Sequence, residues 1–402
     1  MSALSIAAYF PFRRVRITGQ SVGAEADIAM IDIVPDKRFR PLCHDCKAPA
    51  GRARQREHRA IRDLNFASAR VWLRCTYRKV WCEQCSRVVV EDLELFDPYQ
   101  RVTRRLARAV HELCKGMTVS DVARHYGLDW KTVKNIDKAF LEEQYGQTDY
   151  DGLRLLAVDE IAIKKGHRYM TVVIDHVTGR VVWMGKGRKK ETLDAFFAAM
   201  TDQQKQGLEA IAMDMWQGYI SSVEEAVPHV KIVFDLFHVV AAFNKVIDKV
   251  RISEKKQASK EYRGVFRGAK YLLLRRRVRN REHREHLRQL LHLNERLFQV
   301  VLLRDKLPLI WGYSYRRCAE KALEEWCGLA RTVGHPAVTA FAEMLERHRE
   351  GILNHCDYPL HTSKLEGINN KIKVIKREAY GFHDERYFTL KVKQATDPNC
   401  GN

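Results

Sequence analysis

The chain has 402 residues, which is enough for two or three domains and a sizeable core. Its 70 lysines and arginines exceed its 50 acidic residues, and the net charge of +20 favours a polyanionic partner, most often nucleic acid, over a merely soluble basic protein. No apolar run reaches about 18 residues and the N-terminus lacks a signal-peptide pattern, so we expect a cytoplasmic protein without a membrane span.

After an N-terminal segment, residues 1–40, the segment 41–92 contains two C-x-x-C pairs. The four cysteines are Cys43, Cys46, Cys82 and Cys85. Two such pairs are typical of a tetrahedral structural Zn²⁺ site, whereas a redox dithiol would need only one pair. Strand-like alternation between the pairs predicts a zinc-ribbon DNA-binding domain. Cys75 is expected to be a small buried strand residue, and His44 is not expected to be a ligand.

Residues 93–150 show the pattern of a helix-turn-helix. Gly127 marks the turn, and Ser120 and Asp129 are predicted N-caps of the two helices. Apolar residues fall where crossed helices touch, at Val122, Ala123, Tyr126, Leu128, Val133 and Ile136. The second helix would present three side chains to a DNA groove, namely Trp130, Lys131 and Lys134. A helical hairpin that does not bind DNA is the alternative.

Residues 151–240 read as three strands, a helix, a strand, a helix and a strand. This is the order of a ribonuclease-H-like fold, in which the first and fourth strands are neighbours. Asp159 interrupts the first of these strands, and Asp214 lies near the end of the fourth. A lone acid in a strand is more often a loop cap or an ion-pair partner, but two acids on neighbouring strands meet at one edge of the sheet.

Carboxylates brought together in this way repel each other unless a cation binds between them. Oxygen ligands suit Mg²⁺ or Mn²⁺, and two such ions can activate a water or a 3′-hydroxyl and stabilise a leaving oxygen. Glu366 is the candidate for a third carboxylate. It heads a predicted helical face that also carries Asn370, Lys373 and Arg377, which could meet phosphates. The alternative is a solvated charged helix. Glu160 should point to the opposite strand face and is not assigned to metal.

Residues 241–351 are predicted to form a helical insertion domain within the catalytic domain, which resumes at residues 352–395. Residues 245–288 contain 16 lysines and arginines against 5 acidic residues, so this part should follow the DNA backbone without reading sequence. Trp311 and Trp326 are expected to be core residues.

Four blocks of the chain resemble the DDE insertion-sequence transposases of the ISL-three group. The blocks are AVDEIAIKKGHRYMTVVIDHVTGRVV, AMDMWQGY, FDLFHVV and TSKLEGINNKIKVIKREAYGF. The cysteine ribbon and the helix-turn-helix also match the N-terminal layout of that family, so the resemblance covers roughly residues 41–392. It implies a catalytic triad of Asp159, Asp214 and Glu366 with Mg²⁺ or Mn²⁺. Asp235 and His238 match a D-x-x-H signature with an auxiliary role.

The resemblance thus implies a multidomain α+β and α/β chain with a zinc ribbon, a helix-turn-helix and a ribonuclease-H-like domain that carries a helical insertion. The implied activity is binding of the terminal inverted repeats of an insertion sequence, metal-dependent cleavage at its ends and joining of the 3′-hydroxyls to target DNA. The partners would be double-stranded DNA and further copies of the chain, as a homodimer or higher oligomer, in a bacterial cytoplasm near the nucleoid. Two alternatives remain: a non-catalytic DNA-binding regulator, and a metal-dependent nuclease without strand transfer.

Overall fold

The structure, a computed structural model, describes residues 10–98, 100–164, 168–275, 277–360, 363–379 and 382–400. The chain divides into two compact units: residues 1–147 with 376–390, and residues 148–375 with 391–402. None of the described helices combines the length and hydropathy that a membrane crossing needs.

The described strands are β1 (Val15–Val22), β2 (Ile28–Pro35), β3 (Ala53–Arg62), β4 (Arg70–Cys82), β5 (Arg87–Val90), β6 (Leu155–Lys164), β7 (Arg168–Asp175), β8 (Val181–Lys186), β9 (Ala210–Met213) and β10 (Lys231–Phe234). The described α-helices of the first 235 residues are α1 (Arg104–Leu113), α2 (Val119–Tyr126), α3 (Trp130–Tyr145), α4 (Lys190–Ala198), α5 (Asp202–Gln206) and α6 (Gln217–Ala226). Those that follow are α7 (Leu236–Gln257), α8 (Ala269–Leu274), α9 (Arg281–Leu293), α10 (Glu295–Lys306), α11 (Arg316–Thr332), α12 (Pro336–Arg347), α13 (Arg349–Leu353), α14 (Ser363–Glu378) and α15 (Glu385–Thr396).

The first unit begins with a sheet in the order β1-β2-β4-β3, and β5 also pairs with β4. The sheet includes β1 and β2, which lie in the segment 1–40 that the sequence pattern set apart from the ribbon. Strand β2 runs parallel to β4, with Ile31 opposite Leu73. Both side chains are buried in one apolar core, and this shared burial explains why the N-terminal strands join the ribbon sheet.

Helices α1, α2 and α3 form the expected helix-turn-helix. Gly127 takes a left-handed φ of 62° at the turn between α2 and α3, a conformation that glycine adopts without steric cost. Asp129 caps α3 as predicted, since its carboxylate accepts from the Lys131 N–H at 2.9 Å. The prediction of Ser120 as a cap is wrong, because Thr118 accepts from the Asp121 N–H and α2 begins before Ser120. The six apolar contact residues are confirmed in one core cluster around Val122 and Val133.

The start of α15 packs against α3 within the same unit. The Tyr387 hydroxyl donates to Asp137 Oδ2 at 2.5 Å, and His111 Nδ1 lies 2.7 Å from Asp137 Oδ1. Asp137 is fully buried, and burial raises the pKa of Tyr387, which keeps the phenol protonated as a donor. Lys134 and Lys138 both pair with Asp384, at 2.8 and 3.0 Å.

Replacing Tyr387 by Phe should therefore lower the stability of the first unit. The change removes a hydrogen bond to a buried carboxylate without removing the ring, and such losses cost about 1–3 kcal/mol. Thermal unfolding of the full chain followed by circular dichroism should show an earlier transition. Tyr315→Phe, at a tyrosine that is 79% exposed, is the control and should leave the curve unchanged. Equal melting of both variants would contradict a stabilising role for the Tyr387 hydroxyl.

The second unit contains a mixed sheet in the order β10-β9-β6-β7-β8. Strand β6 pairs antiparallel with β7 and parallel with β9, so the first and fourth strands of this segment are neighbours, as predicted. Helices α4 and α6 pack on the face that carries Leu156 and Val158. Because side chains alternate along a strand, Asp159 lies on the opposite face of β6.

Helices α7 to α13 extend the same hydrophobic core between β10 and α14. Phe243 of α7 contacts the rings of Trp326 and Phe341, at centroid distances of 5.3 and 4.9 Å. Trp326 is buried and Trp311 is half-buried, as the sequence pattern suggested for core residues. The mixed α/β composition of the chain is thus confirmed.

Candidate metal centres and DNA-binding surfaces

The four predicted cysteines of the ribbon come together. Cys43 Sγ lies 3.8 Å from Cys85 Sγ, and Cys46 Sγ lies 3.6 Å from Cys82 Sγ. All four sulfurs lie within 4.8 Å of one another, as four ligands of one tetrahedral ion would. The cluster could therefore hold Zn²⁺.

Each cysteine pair sits on a similar turn. Lys47 and Ser86, the residues that follow the second cysteine of each pair, have positive φ values of 61° and 51°. In the second turn the Cys85 N–H donates to Cys82 Sγ at 3.4 Å, a contact that helps to orient this sulfur. Cys75 lies in β4 away from the cluster, and burial raises its pKa to about 12, consistent with an inert core thiol.

Asp159 lies on β6, and Asp214 directly follows β9, the parallel neighbour of β6. The last register pair of the two strands is Ala157 with Ala212, so each acid lies two residues further along the chain. Neighbouring strands are about 4.8 Å apart, and the Asp159 charge acts on Asp214. The two acids are thus close enough to interact, and their oxygens suit a hard divalent cation.

The surroundings of Asp214 disfavour a bare negative charge. Burial raises the pKa of its carboxyl, and the nearby Asp159 charge acts in the same direction. The Trp216 N–H, which donates to Asp214 Oδ1 at 3.1 Å, and the nearby His238 oppose this rise. A bound cation would offset both the desolvation of the Asp214 carboxylate and its repulsion from Asp159.

Asp235 and His238 occupy the start of α7 beside this pair. Asp235 is buried at the N-cap position, and its N–H donates to the Met213 carbonyl at 3.3 Å, next to Asp214. His238 lies one turn further along the helix and acts electrostatically on Asp214. The D-x-x-H signature is therefore adjacent to the acid pair.

Helix α14 reaches the acid pair through a residue that the sequence pattern did not select. Asn369, which is 9% exposed, donates from Nδ2 to Asp159 Oδ2 at 2.7 Å. Asn370, Lys373 and Arg377, the predicted DNA-binding residues of this helix, are exposed. Tyr380 and Gly381, near the end of the last family block, lie outside the described residues.

Glu366 lies on α14 one turn before Asn369, but its side chain is exposed. Among the described residues, the four cysteines are the one group of three or more potential ligands whose atoms all lie within 4.8 Å of one another. Asp159 and Asp214 therefore fit a divalent cation as two neighbouring ligands, and Glu366 does not join them in a compact cluster.

A basic and aromatic rim borders the opposite face of β6. Glu160 pairs with Arg188 at 3.3 Å, and the Arg188 guanidinium lies 4.5 Å from the Tyr169 ring centroid and 5.8 Å from that of Trp216. Burial raises the pKa of Glu160, while Arg188 opposes this rise. Arg188 also acts electrostatically on Asp214, so this one guanidinium offsets negative charge at both Glu160 and the acid pair.

The predicted DNA-contacting residues of α3 differ in exposure. Trp130 is 52% exposed and Lys131 is exposed beside it. Lys134 is half-buried against Asp384 and lies 5.9 Å from the Tyr387 ring centroid. Of these three side chains, Trp130 and Lys131 are exposed, whereas residues at and before the start of α15 partly cover Lys134. Local sequence patterns do not reveal this contact.

The basic segment 245–288 presents its charge to solvent. Every described lysine and arginine in it is exposed except Arg251, which pairs with Asp248 at 2.7 Å. The apolar side chains of the same helices, such as Val250 and Leu273, are buried. Such a segregated basic surface suits a polyphosphate backbone.

Family comparisons agree with this layout. Residues 156–392 match a family described as "Transposase", of the DDE type and ISL3 group, and residues 91–141 match the "Helix-turn-helix domain of transposase family ISL3". The first match covers both strand acids, and the second covers α1, α2 and most of α3.

Individual relatives are also transposases. The chain is 40% identical over 363 residues, 89% of each chain, to "Transposase for insertion sequence element IS1001" of Bordetella parapertussis. It is 26% identical over 298 residues, 67% of this chain and 65% of the relative, to "Transposase for insertion sequence element IS1557" of Mycobacterium tuberculosis. The "Drosophila P element transposase strand transfer complex" aligns over 74% of this chain and 92% of that chain with a TM-score of 0.36 and 12% identity, a likeness too weak to carry an argument. On the family matches and the 40% identical relative, this chain belongs to the ISL3 family of DDE transposases.

Proposed function

We propose that this transposase binds the terminal inverted repeats of its insertion sequence, cleaves DNA at the element ends by metal-dependent hydrolysis and joins the freed 3′-hydroxyls to target DNA. The observation that carries the proposal is the closeness of two acids at neighbouring parallel strands: Asp159 lies on β6, Asp214 directly follows β9, and the Asp159 charge acts on Asp214. We also propose that this sheet, in the order β10-β9-β6-β7-β8, is ribonuclease-H-like.

In this proposal Asp159, Asp214 and Glu366 hold Mg²⁺ or Mn²⁺. When bound, such ions lower the pKa of an attacking water and stabilise the leaving oxygen. Glu366 lies three residues, a rise of about 4.5 Å, before Asn369, which contacts Asp159, so a change of rotamer of the Glu366 side chain would complete the triad. His238 acts electrostatically on Asp214, and in this proposal a ring N–H of its imidazole donates to the scissile phosphate.

The remaining surfaces would hold the DNA. The zinc ribbon and the exposed start of α3, at Trp130 and Lys131, would bind the element end. The basic segment 245–288 would follow the phosphate backbone. Two ends must be cut and joined together, which favours a homodimer or a larger assembly.

The test is cleavage of a labelled DNA that carries the flanking element end, in Mg²⁺ or Mn²⁺, by the wild type and by Glu366→Gln. We expect the wild type to cut and the variant to bind DNA equally well but to cut at least about 100-fold more slowly, because one metal carboxylate is lost. Glu378→Gln, at an exposed glutamate at the end of the same helix, is the matched control and should cut normally.

Two results would contradict the proposal. Equal cutting by Glu366→Gln and the wild type would show that Glu366 is not the third metal ligand. Binding of the correct end by all three proteins without cutting in any divalent metal would favour a non-catalytic regulator.

A further inference from the structure

The amide of Asn369 occupies an unusual position beside Asp159. It is buried, its Nδ2 donates to Asp159 Oδ2, and its Oδ1 has no hydrogen-bond partner among the described residues. An ionised carboxylate only accepts hydrogen bonds, so the amide must keep its nitrogen towards Asp159. The bond to Asp159 is therefore the one described side-chain contact that fixes the orientation of this amide.

The same bond helps to fix the carboxylate of Asp159. Oδ1 of Asp159 accepts from the Glu160 N–H at 2.7 Å, and Oδ2 accepts from Asn369 at 2.7 Å. Each oxygen is thus held by one donor, and an ionised carboxylate offers about four lone-pair directions in all. A carboxylate held from both sides presents its remaining lone pairs in a defined direction, which is what a metal ligand needs.

We infer that Asn369 is a positioning residue for Asp159: its side-chain N–H orients that carboxylate for metal binding and ties α14 to the sheet beside Asp214. This inference rests on the proposed function, because it assigns Asp159 to the metal. It leaves the predicted DNA contact of the exposed Asn370 unchanged. Successive helical residues are turned by about 100°, so only one of two adjacent asparagines can face the sheet.

The inference predicts a loss of metal affinity that is separate from DNA cleavage. Mn²⁺ binding to the zinc-loaded full chain can be measured without DNA by the fall of the free-ion signal in electron paramagnetic resonance. We expect Asn369→Ala to weaken Mn²⁺ binding by about 10–100-fold, the usual effect of removing a hydrogen bond to a metal ligand. Asn399→Ala, at an exposed asparagine outside α14, is the control and should bind Mn²⁺ like the wild type.

A second variant separates orientation from direct ligation. Asn369→Asp keeps the shape of the side chain and adds a ligand oxygen, but it removes the donor and places a second charge against Asp159. Weaker Mn²⁺ binding by this variant supports positioning through the N–H. Binding as tight as or tighter than that of the wild type would overturn the inference, as would wild-type affinity in Asn369→Ala.

A third variant distinguishes failure of the inference from failure of the proposed function. Asp214→Asn should abolish Mn²⁺ binding at this site, so that the free-ion signal no longer falls when the protein is added. If Asp214→Asn loses Mn²⁺ binding while Asn369→Ala binds Mn²⁺ like the wild type, the metal site is supported and the positioning role of Asn369 is wrong. If Asp214→Asn leaves Mn²⁺ binding intact, the proposed site itself is wrong. Circular dichroism of each variant checks that a loss of Mn²⁺ binding does not come from unfolding.

Discussion

Cys82→Ser is expected to release zinc from the chain and to unfold the ribbon, with loss of binding to the element end. Cys82 is buried at the end of β4 and lies 3.6 Å from Cys46 Sγ, so serine would leave an incomplete ligand set in a core that depends on it. Structural Zn²⁺ in small domains contributes about 10–16 kcal/mol of apparent binding free energy near pH 7. The measurement is zinc content by atomic emission, together with DNA binding and thermal unfolding.

Cys318→Ser is the control for this experiment, because Cys318 is exposed and lies in α11 of the other unit. It should keep one equivalent of zinc and normal DNA binding. A Cys82→Ser protein that retains zinc, or that melts and binds DNA like the control, would show that the four cysteines are not a structural metal site.

Asp214→Asn is expected to reduce metal-dependent cleavage by about 1,000-fold while DNA binding is kept. Asparagine has nearly the same shape as aspartate, but it removes a charge that interacts with the nearby Asp159. A metal ion that stabilises the charge of the transition state lowers the activation free energy by several kcal/mol, and about 4 kcal/mol corresponds to about 1,000-fold in rate. Single-turnover cleavage of an end-bearing DNA measures the effect.

Two comparisons sharpen this experiment. Asp202→Asn, at an exposed aspartate of α5, should cut normally. Asp159→Asn should reduce the cleavage rate as much as Asp214→Asn does. The double variant should cut only a little more slowly than either single variant, since residues that hold one metal centre act as a unit. Normal cutting by Asp214→Asn would place the active site elsewhere in the chain.

The parts of the fold that follow from hydrophobic periodicity could be read from the sequence. The strand and helix order around Asp159 and Asp214 is an example, because each element is long or apolar enough to be recognised and the parallel register then fixes which acids meet. The cysteine cluster is another, since the spacing of its four ligands is itself the signal.

Features that depend on helix phase or on distant contacts could not be read in this way. Ser120 lies inside α2, because that helix begins two residues earlier than the sequence pattern predicts, and terminal residues are the least certain part of any helix. The contact of Asn369 with Asp159 does not follow from the sequence, because it depends on which face of α14 meets the sheet, and adjacent helical residues differ by about 100°. The pairing of Lys134 with Asp384 joins residues 250 positions apart, which no local pattern reveals.

Strand transfer by a pre-cut element end shows whether the acid pair catalyses joining as well as cleavage. An end with a free 3′-hydroxyl and a label on the transferred strand would be incubated with the wild type or Asp214→Asn, Mg²⁺ or Mn²⁺ and a supercoiled target plasmid. We expect labelled plasmid joined through that 3′-hydroxyl with the wild type and none with Asp214→Asn. Cutting of DNA without any joining would make the chain a nuclease, and equal joining by both proteins would contradict the assignment of the acid pair.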